Sequence, residues 1–106
     1  MSDIILLYAT APDRAAAEKI ARALIEENAA ACINIIDGMS SIYRWRGEIE
    51  TANEFALFIK TTRAKAPLAR KIMVAKHPYE NPALLALPVD RRLSSEAFCA
   101  WIENSA

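Results

Sequence analysis

Two long strand-like segments joined by one tight turn occupy the middle of this chain and restrict the folds it can adopt. "AAACINIIDGMSSIYRW" occupies residues 29–45, and "GEIETANEFALFIKTT" occupies residues 47–62. Both segments are rich in β-branched and aromatic residues, and Arg46-Gly47 suits a tight turn between them. Asp37-Gly38 interrupts the first segment, and we interpret it as a bulge or kink within a continuing strand. The pattern therefore predicts one long β-hairpin.

The length of this hairpin predicts an oligomer. Each arm has about 15 residues and would span roughly 50 Å at ~3.3 Å per residue, whereas a compact domain of this size has a radius of gyration of about 13 Å. The hairpin must overhang its own sheet, kink, or both, and an isolated two-stranded ribbon is only marginally stable in water. Tyr43 and Trp45 lie two apart near the tip, hence on one face, and we place them in a subunit interface, with stacking against a ligand as the alternative.

The N-terminal part predicts a strand followed by a helix. "IILLYA", Ile4–Ala9, is short and continuously apolar, which is typical of a strand buried on both faces. Thr10 followed by Asp13 resembles a capping box at the start of a helix. Ile20 and Leu24 then have helical spacing on an inward face, and we expect this helix to end near Asn28.

The C-terminal part predicts helix, strand and helix. A second helix is expected over 63–76 because Leu68, Ile72 and Met73 form an apolar stripe. "ALLALPV", 83–89, predicts a buried fourth strand. Ser94 or Ser95 then caps a last helix with Phe98, Trp101 and Ile102 on one face.

The order β-α-β-β-α-β plus a terminal helix is the ferredoxin-like arrangement of the α+β class. We expect one domain over residues 1–106, with both main helices on one face of a four-stranded antiparallel sheet. The long hairpin would overhang that sheet.

Charge and hydropathy exclude several classes of protein. Thirteen basic residues balance thirteen acidic ones, which argues against a nucleic-acid partner. The basic residues within 63–76 are interpreted as a solvated helix face. The apolar run near the N-terminus is short and lacks a basic flank, and no run approaches the ~20 apolar residues that cross a bilayer. We expect a cytoplasmic protein with no membrane partner and with reduced thiols at Cys32 and Cys99.

The stretch "KHPYENP", 76–82, holds the only histidine, and its role has three alternatives. His77 could bind a metal ion, act in acid–base chemistry with Glu80, or hydrogen-bond at the end of the second helix. One chain supplies one histidine, and copper or zinc favours several ligands at once. Enzyme motifs such as G-x-S-x-G, a glycine-rich phosphate loop and H-E-x-x-H are absent, so we expect no enzyme activity.

Three further side chains are candidates for contacts or binding. Cys32 lies between alanine and isoleucine in the first hairpin arm, where packing as a small apolar group is the more ordinary role, and the same holds for Cys99 in the last helix. Lys60 lies in an alternating strand, where a buried ammonium needs a carboxylate or an anionic ligand. The carboxylate could come from Glu48, Glu50 or Glu54 of a neighbouring arm.

Several motifs together resemble those of the CutA family. They are "TAPD" near the start, "AACINI" at 30–35, "SIYRWRGEIE" at 41–50, "IKTT" at 59–62, "HPYENP" at 77–82, and a tryptophan near the end, Trp101. The resemblance implies a ferredoxin-like fold assembled as a tight homotrimer, in which long hairpins cross subunit boundaries. This architecture is similar to that of the trimeric PII signalling proteins.

The resemblance also implies a function, because the family is named for tolerance of divalent cations, copper above all. Members with proposed copper ligands have a cysteine before "TAP" and two histidines before "PY", where this chain has Ala9 and Lys76-His77. His77 is the remaining candidate metal ligand, and we expect no tightly bound cofactor and only weak binding of copper or another divalent cation. The alternative is a PII-like signalling or scaffold trimer with a small anionic effector in an intersubunit cleft lined by Cys32, Lys60, Tyr79 and Glu80.

Overall fold

A computed structural model describes residues 3–106, so the first two residues of the expected domain lie outside it. The elements are β1 (Ile4–Ala11), α1 (Arg14–Glu26), β2 (Cys32–Trp45), β3 (Glu48–Thr62), α2 (Ala66–Lys76), β4 (Leu84–Pro88) and α3 (Glu96–Ser105), with a short 3₁₀ turn at Arg91–Leu93. The sheet has the order β2-β3-β1-β4, and all neighbouring strands are antiparallel. This topology confirms the ferredoxin-like prediction.

The main core lies between one face of the sheet and the two longer helices. Leu57 and Ile59 of β3 are fully buried there, together with Ile20 and Leu24 of α1, as the helical spacing predicted. Met73 of α2 completes the contact with the sheet. Because both helices cover the same face, the other face has, within residues 3–106, no helical cover apart from α3 at one end.

The start of α1 differs from the prediction. Thr10 belongs to β1, where it pairs with Ala56, and the strand continues to Ala11. Asp13 is the N-cap instead, since its Oδ1 accepts a hydrogen bond of 2.8 Å from the Ala16 N–H. The capping-box interpretation was wrong because strand pairing with β3 extends the strand past Thr10.

The start of α2 was also placed too early. The chain makes a turn after β3, in which the Lys65 N–H donates to the Thr62 carbonyl at 3.1 Å. The helix then begins at Ala66, with Pro67 in its first turn, where a missing N–H costs nothing. Arg63, expected in the helix, lies in the turn and pairs with Asp3 at 2.9 Å.

One expectation about burial near the C-terminus was wrong. β4 is an edge strand with β1 as its one neighbour in the sheet, and Leu85 is 64% exposed. In α3, capped by Ser95, the inward residues are Cys99 and Ile102, which pack against Ile4. Phe98 and Trp101 lie on the exposed side and stack on each other with ring centroids 5.5 Å apart. The packing of Cys99 was predicted correctly.

The hairpin has the predicted overhang. β1 pairs with β3 only from Phe55 to Thr62, so residues 48–54 of β3 pair with β2 alone. We call this two-stranded part, residues 39–45 and 48–54, the ribbon. The molecule measures 45 × 28 × 22 Å, and its radius of gyration of 14.4 Å exceeds the value of about 13 Å for a compact domain of this length.

Backbone geometry explains how the hairpin turns and bends. Arg46 and Gly47 both have positive φ, 50° and 83°, as a type I′ turn requires. The register shifts between Ile36 and Met39, which confirms the bulge at Asp37-Gly38. Gly38 takes φ 81° at the bulge, a conformation that glycine adopts without strain.

An ion cluster that the sequence did not suggest ties the 3₁₀ turn to α3. Arg91 donates to Glu96 at 2.9 and 2.7 Å and to Glu103 at 2.8 Å, and its side chain is only 12% exposed. The hydrogen bonds from Arg91 lower the pKa of Glu96 below its ordinary value of 4.5.

We expect Arg91→Met to lower the melting temperature at neutral pH and to matter less in acid. A carboxyl with a lowered pKa stabilises the fold fully above its ordinary pKa and loses that contribution as the pH falls through the folded pKa. Thermal unfolding at pH 7 and at about pH 3 measures the difference. Arg92→Met, at a neighbouring arginine whose side chain is 91% exposed, is the control and should change little at either pH. An equal loss at both pH values would contradict this role of the cluster.

Candidate functional site

The sheet face opposite α1 and α2 carries an uncovered apolar surface. Residues in register across the four strands alternate between the core and this side. We call the residues on this side the open sheet face: Leu6, Tyr8, Cys32, Asn34, Phe58, Lys60, Leu85 and Leu87. Leu85 and Leu87 are 64% and 44% exposed, and the Tyr8 and Phe58 rings meet with centroids 5.7 Å apart. Lys60 is the one charged residue in this set.

Lys60 lies in a row with Cys32 on one side and Leu6 on the other. Its ammonium is 3.7 Å from the Cys32 Sγ and donates a hydrogen bond to the Asn34 Oδ1. Within residues 3–106 no carboxylate forms an ion pair with it. The structure thus joins two of the predicted cleft residues, Cys32 and Lys60, and adds Asn34, which sequence reasoning missed because only the strand register brings it there.

His77 is held at the end of α2, where its side chain joins the loop to the sheet. The residue is 8% exposed and is the C-cap of the helix. Its Nε2 lies 2.7 Å from the Thr10 carbonyl oxygen, and its Nδ1 accepts a hydrogen bond of 3.1 Å from the Tyr79 N–H. The contact with Thr10 lies just beyond the last β1–β4 pair, Ala9 with Leu84.

These two contacts determine the tautomer of the ring. Since the Tyr79 N–H can only donate, Nδ1 must carry a lone pair, and the proton of the neutral ring is on Nε2, which donates to the Thr10 carbonyl. Both ring nitrogens are therefore engaged within the chain. A metal ion would have to displace the Tyr79 N–H from Nδ1, or replace the proton at Nε2 and break the bond to Thr10.

Tyr79 and Glu80 lie in the exposed part of the same loop. The ring of Tyr79 lies 5.0 Å from that of His77, centroid to centroid. Partial burial raises the pKa of Tyr79, and nearby Glu54, Tyr43 and Asp13 raise it further. His77 of this loop contacts Thr10, which pairs with Ala56, so the loop lies beside the base of the ribbon, which the sequence did not indicate.

The predicted cleft residues form two groups on one chain. Lys60 pairs with Leu6 of β1, while His77 contacts Thr10, four residues further along the strand, or about 13 Å at 3.3 Å per residue. Among residues 3–106, no cluster of three or more His, Cys, Asp or Glu side chains could hold a metal ion. Any ligand-binding site that includes both Lys60 and His77 therefore needs residues from outside these two groups.

Tyr43 and Trp45 lie on the ribbon and are exposed in the single chain, by 45% and 58%. They pair with Glu50 and Glu48 of β3. β3 alternates regularly from Glu48 to Lys60, so these pairs lie on the same side as the open sheet face. The Arg46 guanidinium stacks over the Trp45 ring at 5.5 Å.

Comparison with known proteins agrees with this architecture. Residues 5–105 match the family model for the CutA1 divalent ion tolerance protein. The divalent-cation tolerance protein CutA of Thermus thermophilus is 43% identical, over 99% of this chain and 98% of the relative. The crystal structure of CutA from Xylella fastidiosa superimposes with a TM-score of 0.90 at 39% identity and covers 95% of each chain.

A third relative bears on location. The structure of a protein from Archaeoglobus fulgidus, named as the periplasmic divalent cation tolerance protein CutA, has a TM-score of 0.90 at 37% identity over 96% of this chain and 97% of that one. In residues 3–106 the helices are too short or too polar to span a bilayer. The expected cytoplasmic location thus stays a prediction.

Fold, motifs and similarity over nearly the whole length agree, and the resemblance read from the motifs is confirmed: this chain belongs to the CutA1 divalent ion tolerance protein family.

Proposed function

We propose that this chain works as a cytoplasmic homotrimer that contributes to tolerance of divalent cations, copper in particular. The observation that carries the proposal is the similarity over nearly the whole chain to relatives named divalent-cation tolerance proteins. The proposal includes no enzyme activity and neither nucleic acid nor membrane as a partner.

The assembly part of the proposal is supported by two surfaces that a single chain leaves uncovered. Along residues 48–54 the outer backbone groups of the ribbon have no sheet neighbour in the described part of the chain, and the ribbon exposes Tyr43 and Trp45. The open sheet face exposes Leu85 and Leu87. In a head-to-tail assembly each ribbon would cover the next subunit. Such an assembly forms either a closed ring or an open filament, and a ring of three copies would leave no ribbon uncovered.

The metal part of the proposal is a weak, open site rather than a closed centre. His77 already uses both ring nitrogens, and Ala9 and Lys76 bring no ligand to its side. The Lys76 ammonium next to it also repels a cation, although solvent screens most of that effect. Metal ions would therefore bind transiently, and the protein would hold no resident metal cofactor.

We expect copper(II) to bind with no better than about micromolar affinity, roughly −8 kcal/mol. Calorimetric titration in a non-chelating buffer measures this for the wild type, for His77→Ala and for the control Tyr79→Phe, which keeps the imidazole. His77→Ala should leave the oligomer intact. A nanomolar site with one metal per subunit, lost in His77→Ala and kept in Tyr79→Phe, would contradict the weak-site account.

Tolerance itself is tested in cells that lack their own copy of the gene. Expression of this chain should restore growth at raised copper, and parallel cultures with zinc and cobalt show whether copper is special. Trp45→Ala, which should disturb assembly, serves as the matched variant. Failure of the wild-type chain to change growth with any of these metals would contradict the proposed function.

A second candidate function rests on Lys60. Its ammonium lies in a mostly apolar surface without a carboxylate from the described part of the chain, which favours a PII-like trimer that binds a small anionic effector. A thermal-shift screen of metabolites tests it, since a ligand of the native state raises apparent stability. An anionic metabolite that stabilises the wild type and not Lys60→Met would support this candidate.

A further inference from the structure

The open sheet face and the ribbon carry opposite charge on the same side of the sheet. The one charged residue of the open sheet face is Lys60. Even-numbered residues of β3 share its side, and in the ribbon they include Glu48, Glu50 and Glu54. Arg44 of the ribbon pairs with Ile49, so it lies on the opposite side.

These charges cannot meet within one chain. Glu50 and Lys60 belong to the same continuous strand and are ten residues apart, about 33 Å at 3.3 Å per residue. An ion pair needs a separation of about 4 Å or less. A carboxylate of the ribbon can therefore reach a Lys60 only on another copy of the chain.

The three ribbon carboxylates differ in their surroundings. Glu48 lies beside the turn, opposite Trp45, where the Arg46 guanidinium already lies over the tryptophan ring. Glu54 lies at the base, close enough to Tyr79 to raise its pKa. Glu50 is exposed, pairs with Tyr43, and makes no ion pair within residues 3–106. Its aromatic neighbour suits the apolar surroundings of Lys60.

We propose that Glu50 of one copy completes the Lys60 site of the next copy. This inference rests on the proposed trimer and names the group that occupies its cleft: a carboxylate carried by the partner's ribbon, bound by the Lys60 ammonium beside Asn34 and Cys32. The pair would be desolvated by Tyr43, Tyr8 and Phe58 on assembly, so removal of either partner leaves an unpaired buried charge. The pair would also set the direction of the ring of subunits, because the ribbon of each subunit would reach the Lys60 of one particular neighbour.

Charge reversal with rescue tests the pair. Lys60→Glu and Glu50→Lys should each weaken trimer association at least tenfold, the lower end of couplings measured for close interface charge pairs. The double variant should recover most of the loss, because it restores opposite charges. Analytical ultracentrifugation over a dilution series measures the strength of trimer association, and circular dichroism verifies that each variant folds. Lys71→Glu on the exposed side of α2 is the matched control and should associate like the wild type.

The outcomes separate this inference from the trimer proposal. A wild-type trimer in which the double variant is no better than the single ones overturns the Glu50–Lys60 pair and leaves the trimer standing. Rescue of Lys60→Glu by Glu48→Lys and not by Glu50→Lys overturns the assignment of Glu50. Lys60→Met removes the positive charge without introducing a repulsive one, so it tests the pair in a variant whose folding is disturbed less. It should also weaken association.

A free anion is the alternative to a partner's carboxylate as the group that neutralises Lys60. Calorimetric titration of the wild-type trimer with inorganic phosphate and with citrate should show no binding that depends on Lys60, since the partner's Glu50 already neutralises it. Binding of either anion that is lost in Lys60→Met and unchanged in Glu50→Gln would overturn the inference and favour the effector function.

Discussion

Replacement of Trp45 by alanine should dissociate or loosen the assembled protein. The indole is 58% exposed in the single chain, at a place on the ribbon that its own core cannot reach. If a partner subunit buries the ring, its removal costs about 3–5 kcal/mol. Sedimentation velocity over a range of protein concentrations should show lighter species in Trp45→Ala at concentrations where the wild type is fully assembled.

Trp45→Phe is the control for this experiment. Phenylalanine keeps an aromatic ring at the same position, so its effect should be clearly smaller than that of alanine. An unchanged oligomer and an unchanged melting temperature in Trp45→Ala would show that the ribbon tip is not an assembly surface.

Replacement of Leu57 by alanine should destabilise the fold itself by about 2–5 kcal/mol. Leu57 is fully buried on the face of β3 that packs against the two longer helices. The loss combines the transfer energy of the removed methyl groups with the cost of the cavity they leave. Urea unfolding, followed by circular dichroism, measures the change.

Leu93→Ala provides the same chemical change at a position that is 87% exposed. It should alter stability by no more than about 0.5 kcal/mol. Equal losses at Leu57 and Leu93 would mean that the core does not lie between β3 and the helices.

The parts of the fold that follow from local chemistry were predictable. The tight turn was suggested by Arg46-Gly47, and the bulge by Asp37-Gly38, because glycine adopts without strain the positive φ that it has at both places. The spacing of Ile20 and Leu24 predicted the inward face of α1 correctly. The overhang followed from segment length alone.

The errors arose where tertiary contacts override local signals. β1 extends past Thr10 because β3 continues to offer backbone partners as far as Phe55, so a plausible cap residue became part of a strand. β4 has an apolar sequence but an edge position, which leaves Leu85 exposed on a surface that the fold of one chain does not cover. Apolar spacing alone did not distinguish the inward pair of α3 from the stacked aromatic pair.

The candidate site was the least predictable part. His77 was evident as the lone histidine, but its partner Thr10 is 67 residues away and contributes a backbone carbonyl, which any residue type offers. Asn34 meets Lys60 only through the register of β2 against β3. The acidic side of the ribbon, with Glu48, Glu50 and Glu54, can be identified only when β3 is known to alternate without a bulge.

Sedimentation equilibrium of the purified wild-type chain at low micromolar concentration tests whether the chain assembles as a trimer. The ribbon, the open sheet face and the family resemblance predict a single species with three times the mass of the chain and no folded monomer at any dilution where the protein keeps its structure. A well-folded monomer with native circular dichroism at that concentration would contradict the account.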